Sequence, residues 1–196
     1  MGGPLGHPAA SSLIALFSMS LPLRVLIAKR TAETAAQLAA LGRQTFADTF
    51  AADNTPTDMD AYLAATFGPT QQLAELQDPD VIFLLAQMQQ ELVGYAMLRF
   101  KSDLGLEQGK TPDNRLEIAR LYVREDWVGT GLGATLMRRA LDEARARGCR
   151  TVVLGVWERN TRAIAFYQRF GFKEIGQHAF TLGSDVQTDL ILRKGL

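Results

Sequence analysis

A chain of 196 residues, 47% hydrophobic and 21% charged, has the size and composition of one globular domain with its own core. Its 21 Lys+Arg balance its 21 Asp+Glu, and a formal net charge of zero argues against a general nucleic-acid binder, which needs a basic excess. The single cysteine, Cys149, excludes an internal disulfide and suits a reducing, cytoplasmic setting, and no apolar run reaches the roughly 20 residues that span a bilayer.

Residues 1–23 read as an N-terminal extension ahead of one domain, 24–196. Gly2, Gly3, Pro4, Gly6 and Pro8 mark loop, and His7 lies among them. The apolar patch Leu13–Phe17 lacks a preceding Lys or Arg and a following cleavage site, so it does not read as a secretory signal. Met19 is a second candidate start. Arg24–Arg30 predicts a first strand, and Thr31 caps a helix whose Leu38, Leu41, Thr45 and Phe46 fall at helical spacing. After a break at Asn54-Thr55-Pro56, Thr57–Phe67 predicts a second helix, with Met59, Tyr62, Leu63 and Phe67 on its apolar side. Gly68-Pro69 breaks the chain again, before a further helical turn over Thr70–Gln77. Val81–Met88 and Leu92–Phe100 predict an antiparallel hairpin, and Lys101–Asn114 a surface loop.

Leu116–Gly148 is the segment around which the rest is organised. A strand, Leu116–Val123, runs through a short turn into Gly129, Gly131 and Gly133, and a helix pattern then continues to Arg147 and stops at Gly148. A glycine loop opening a helix aims several free N–H groups and the positive end of the helix dipole one way. That arrangement holds a phosphate. Gly129-Thr130-Gly131-Leu132-Gly133-Ala134 also fits a dinucleotide fingerprint, with its last place one residue early. That NAD reading is disfavoured, because Arg124–Val128 separate strand from loop and too few residues follow for further crossovers. Beyond the helix, Thr151–Trp157 predicts a strand parallel to Leu116–Val123, and Asn160–Phe170 a short helix. Phe172–Thr181 and Val186–Leu192 predict a closing strand pair.

The loop resembles the acetyl-CoA signature of the GNAT superfamily of N-acetyltransferases, Gln/Arg-x-x-Gly-x-Gly/Ala after a strand ending Leu-Tyr-Val. Leu121-Tyr122-Val123 and the Gly131/Gly133 pair match it, while Val128 replaces the basic or Gln residue. Asn160-x-x-Ala163-x-x-Phe166-Tyr167-x-x-x-Gly171-Phe172 resembles the family's second signature. The resemblance implies an α/β (α+β) fold with a mixed, mostly antiparallel sheet, a central parallel pair and helices on both faces. It implies acetyl-CoA as cosubstrate, held at Val128, Gly129, Thr130, Gly131, Leu132, Gly133 and Ala134, with Asn160 on the pantetheine. It also implies a splayed strand whose Leu121, Tyr122 and Val123 backbone meets the thioester, and Tyr167 as the acid for the leaving sulfur.

The acceptor ammonium must lose a proton before it can attack, so a base is required. Glu117 is the candidate. It lies on the strand of Leu121, and strict alternation over four residues puts both side chains on one face. Cys149 lies about sixteen residues along the helix from the glycine loop, roughly 24 Å away, and reads as a small buried residue. His178 reads as a structural strand residue, and no Cys/His/Asp cluster has metal-ligand spacing.

A finer resemblance links three stretches to bacterial Pai-type spermine/spermidine acetyltransferases. They are Phe46-x-x-x-Phe50 leading to Asn54-Thr55, Leu154–Glu158, and the run Gly176-x-His178-x-Phe180-x-Leu182-Gly183-x-Asp185-x-Gln187-Thr188-Asp189-Leu190-Ile191. The expected function is direct acetyl transfer to a primary amine, with spermidine or spermine implied as acceptor. A peptide, protein or amino-acid amine is the alternative acceptor, and a non-catalytic CoA sensor the alternative of another class. A small-molecule amine is thus the expected partner, with no nucleic acid and no membrane, and a homodimer fits this reading.

Overall fold

The computed structural model describes residues 23–106 and 114–196. The expected N-terminal extension up to residue 22, with its apolar patch, lies outside the described residues, as does the part of the surface loop holding Gly109 and Pro112.

Seven strands form one sheet: β1 Arg24–Ile27, β2 Val81–Met88, β3 Glu91–Phe100, β4 Arg115–Val123, β5 Thr151–Trp157, β6 Lys173–Leu182 and β7 Asp185–Gly195. Their spatial order is β1-β2-β3-β4-β5-β7-β6. Every pairing is antiparallel except β4 with β5, which are joined through α4 (Leu132–Ala146) as a crossover requires. The mixed, mostly antiparallel sheet with a central parallel pair, expected from the strand-helix order and the resemblance, is borne out.

The remaining helices are α1 Ala32–Phe50, α2 Pro56–Thr66, α3 Pro69–Gln77 and α5 Thr161–Arg169. Thr31 caps α1 as expected, its Oγ1 accepting from Thr34 N at 3.2 Å. The two prolines that read as breaks are instead the first residues of α2 and α3. At that position the missing N–H has no intrahelical acceptor to lose, and the fixed φ suits the helix.

Helices cover both faces. On one, Leu132, Leu136, Met137 and Ala140 of α4 are fully buried against Leu84, Ala96, Leu98, Leu116 and Leu154 of the sheet. Burial of each such Leu or Met contributes about 1.5–3 kcal/mol. On the other, α1 and α3 pack on Phe83, Tyr95 and Met97. A smaller cluster joins Phe46 of α1, Met59 and Leu63 of α2, Phe67 and Leu182 of β6. Asp58 ties α2 to the β6–β7 turn, accepting from Ser184 N at 2.6 Å and Ser184 Oγ at 2.9 Å. Those bonds, the backbone one foremost, hold its carboxyl below the usual range.

Candidate active site

The parallel pairing of β4 with β5 covers only Arg115–Glu117 against Thr151–Val153. Beyond it the two strands part, and a cleft of about 570 Å³ opens in the gap. It is lined by Ile118–Val123 on one side and Gly155–Trp157 on the other. No third strand fills the space among the described residues. Among the described residues the β5-facing edge of 118–123 has no strand partner, so its main-chain groups are free to pair with a ligand.

The glycine loop closes one end of this gap. A single turn, Glu125–Trp127, follows β4. Arg124 grips Asp126 at 2.6 and 2.8 Å and also pairs with Glu91 at the start of β3, which anchors the turn to the sheet. Thr130 Oγ1 donates to the Trp127 carbonyl at 2.7 Å. Gly131 is the N-cap of α4 with φ +91°, in the left-handed region that side chains avoid. Thr135 N makes the first bond of the helix, to Gly131 O at 3.0 Å. The amides of Leu132, Gly133 and Ala134 therefore lack an intrahelical acceptor. A Cβ on Gly129 or on Gly131 would meet nothing within 4 Å, so the concave side of the loop is open to a ligand. This cradle fits a phosphate-bearing cosubstrate.

Of the expected site residues, the structure brings Leu121, Tyr122, Val123, Val128, Gly129, Gly131, Gly133, Ala134, Asn160 and Tyr167 to the cleft. Leu132 and Thr130 do not line it. The Leu132 side chain is buried in the core, which leaves only its amide for a ligand, and Thr130 is engaged with Trp127. Val128, in place of the basic residue of the signature, is exposed on the rim. Asn160 has a local task as well. Its Oδ1 accepts from Ala163 N at 3.1 Å and caps α5, which leaves its amide NH₂ for the cleft. Tyr167 sits on α5 between Phe166 and Phe172, and burial pushes its phenol up to about 12.

Glu117 is placed elsewhere, and the expectation that it shares a face with Leu121 is corrected. In the β3–β4 register Met97 opposes Arg120 and Leu98 opposes Ile118, so Ala119 is an extra, unopposed residue. Such a bulge inverts the alternation. Leu116 and Ile118 before it, and Leu121 and Val123 after it, all face α4. Glu117 thus points to the opposite side, outside the cleft lining. There it accepts from Ser102 Oγ at 2.8 Å and lies 3.6 Å from Arg99.

The far end of the cleft, on the α1/α2 side, is a chamber that the sequence reading did not assemble. Its walls are Phe46 and Phe50 of α1, Tyr62 of α2, Trp157 of β5 and Phe180 of β6. Asp189 of β7 enters it, its Oδ1 buried without a hydrogen-bond partner among the described residues. Burial raises its pKa, opposed by His178. Most of these residues fall within the Pai-like stretches, but no spacing rule assigns them to one cavity. Arg120, beside the chamber, is held by Glu75 at 2.6 and 2.9 Å and lies over the Phe67 ring. Cys149 is at the far end of α4 from the loop, its thiol raised by burial.

The sequence profile of the acetyltransferase (GNAT) family matches residues 43–172, which include the glycine loop and both signatures. The chain belongs to the GNAT acetyltransferase family. It is accordingly an N-acetyltransferase dependent on acetyl-CoA. An uncharacterized N-acetyltransferase of Lactobacillus delbrueckii subsp. lactis is 37% identical over 158 residues, 80% of this chain and 89% of that one. The Bacillus subtilis spermine/spermidine N(1)-acetyltransferase is 33% identical over 94 residues, 46% of this chain and 58% of that one. Among solved folds, the PaiA N-acetyltransferase of Thermoplasma acidophilum in complex with coenzyme A superposes with a TM-score of 0.71. That match is 22% identical and covers 88% of this chain and 99% of the other.

Proposed function

We propose that this GNAT enzyme transfers acetyl directly from acetyl-CoA to a primary alkyl amine, with spermidine and spermine as the first acceptors to test. The observation that carries this reading is the continuity of the cleft. One opening between β4 and β5 joins the glycine cradle to an aromatic chamber containing a carboxylate. Cosubstrate and amine can thus reach the same stretch of β4 edge from opposite sides. The polyamine assignment is supported by the likeness to the Bacillus enzyme and by the motif running from Gly176 to Ile191. A single unpaired cysteine suits a cytoplasmic setting.

Bound acetyl-CoA supplies the activated acetyl group. The chain's own residues do the rest. The amides of Gly129, Gly131, Leu132, Gly133 and Ala134 hold phosphate, and Asn160 offers its NH₂ along the cleft. Backbone N–H groups of Leu121, Tyr122 or Val123 on the open edge stabilise negative charge on the carbonyl oxygen. The ammonium first gives up a proton to water in the open cleft; then, as the N–C bond forms and the C–S bond breaks, Tyr167 O–H donates to the departing sulfur and its phenolate takes up the proton shed by the acylated nitrogen. Its raised pKa keeps the phenol protonated at neutral pH, ready as a donor.

A thiol-release assay over spermidine, spermine, simple alkyl amines, amino acids and peptides tests the reading. Release with polyamines is expected. Peptide-only activity would keep the transfer and remove the polyamine acceptor, and CoA binding with no release from any amine would favour the sensor. Direct transfer also requires that acetyl-CoA alone leave Cys149 unacetylated by mass spectrometry.

A further inference from the structure

We propose that the Asp189 carboxylate, set among the aromatic rings of the chamber, receives the positively charged amine of the acceptor. This rests on the proposed transfer to an amine and names the group that recognises it.

Asp189 lacks a partner that its surroundings ought to provide. Oδ1 is buried with no hydrogen bond among the described residues, and an ionised carboxylate in that position carries a desolvation cost that a cation offsets. Its register neighbours do not supply that cation fully. Asp189 lies opposite Trp157 on β5 and opposite His178 on β6. The His178 ring instead meets the Ala179 carbonyl at 3.0 Å through Nδ1.

The space in front of the carboxylate is kept clear by Gly155. A Cβ there would come within 3.4 Å of Asp189 Oδ2 and 3.3 Å of His178 Nε2. Around that space the rings form a continuous wall. Phe50 lies 5.7 Å from Trp157 and 4.5 Å from Phe46, and Tyr62 lies 4.6 Å from Phe46 and 5.5 Å from Phe180. Aromatic faces attract a desolvated ammonium and accept its alkyl chain.

The ionisable groups near Asp189 are His178 from β6 and Tyr62 from α2, with Arg120 of β4 and Arg162 and Arg169 of α5 also on the cleft. Arg120 is already paired with Glu75. Among the described lining residues, Asp189 is the sole carboxylate, so the chamber offers one ammonium its charge partner. The upward shift of its own pKa by burial is the mark of a carboxylate that a bound cation would stabilise.

The test is Asp189→Asn, which keeps shape and removes charge. Acceptor KM is measured for spermidine, for hexylamine and for an arylamine, which is uncharged at about pH 8, well above its own pKa. Expected is a rise in KM of about tenfold or more for the two alkyl amines, with arylamine KM and CoA affinity unchanged. Gly155→Ala, which fills the space before the carboxylate, should weaken the alkyl amines in the same way. Unchanged alkyl-amine KM in Asp189→Asn overturns the inference, as does an equal loss with the arylamine, which would mark a packing role. Wild-type turnover of alkyl amines alongside either result leaves the proposed transfer standing. Failure of the wild-type enzyme to acetylate any amine removes both.

Discussion

Gly131 and Gly148 bracket the same helix, α4, and make a matched pair of perturbations. Gly131 precedes the helix with φ +91°, and Gly148 follows it with φ +71°. A Cβ at either position would meet nothing within 4 Å. Alanine at each therefore costs only backbone strain, about 1–2 kcal/mol for a side chain held in the left-handed region. For a chain of this length that lowers Tm by about 2–8 °C, similarly in both variants. Ligand binding should separate them. Gly131 stands beside the free amides of Leu132, Gly133 and Ala134, whereas Gly148 lies at the opposite end of α4. A methyl group on the open side of the cradle, with the local shift that relieves its strain, displaces phosphate from one hydrogen bond. A bond to a charged group is worth about 1.5–3 kcal/mol, so CoA affinity should fall about 10- to 150-fold in Gly131→Ala. In Gly148→Ala it should stay within about twofold of wild type. Calorimetric titration with CoA, beside thermal melts of both variants, reads the two effects. Equal affinity in two equally destabilised variants would refute the cradle as the phosphate site.

Three further outcomes follow from other parts of the molecule. Tyr167→Phe should lower kcat by about 100-fold or more with little change in acetyl-CoA KM, since a proton donor to sulfur acts mainly in the transition state; steady-state kinetics with unchanged kcat would remove Tyr167 from that role. Arg120→Met removes the cation from Glu75, whose side chain is 11% exposed and keeps only the Gln71 and Gln72 amides at 3.1 Å, and should cost about 3–5 kcal/mol. That corresponds to a fall in Tm of about 6–20 °C, with most of it recovered in the Arg120→Met/Glu75→Met double variant. Burial raises Asp189 in the folded state, so between the ordinary carboxylate range and the raised value the native protein holds more proton than the unfolded chain. Its contribution to stability therefore falls as pH rises through that window. Asp189→Asn should melt above wild type at neutral pH, by a margin that shrinks as pH falls toward about 4, and a margin independent of pH would contradict the assignment.

Much of the molecule was legible in the residues themselves. Thr31 as an N-cap, the strand-glycine-helix run from Leu116 and the β-branched Thr151–Trp157 each rest on interactions within a few positions of chain. Local geometry therefore determined them, and the two GNAT signatures followed as continuous stretches. Pro56 and Pro69 were misread as breaks because a proline that ends one helix and a proline that begins the next share one fixed φ. Glu117 was misplaced for another short-range reason with a long-range cause. The bulge at Ala119 exists only in the pairing of β4 with β3, and one unopposed residue turns every earlier side chain to the other face. The acceptor chamber was beyond reach altogether. Phe46, Tyr62, Trp157, Phe180 and Asp189 come from five elements spread over more than 140 positions, and no periodicity links them. They meet because β4 and β5 part after Glu117, because Asp58 pins α2 to the β6–β7 turn, and because Gly155 leaves room in front of a carboxylate. The sequence by itself determined the elements and the cradle, whose amides are consecutive in the chain. The tertiary structure decided the opening between the strands and the chamber beyond it, because both depend on which distant segments the sheet and its covering helices bring together.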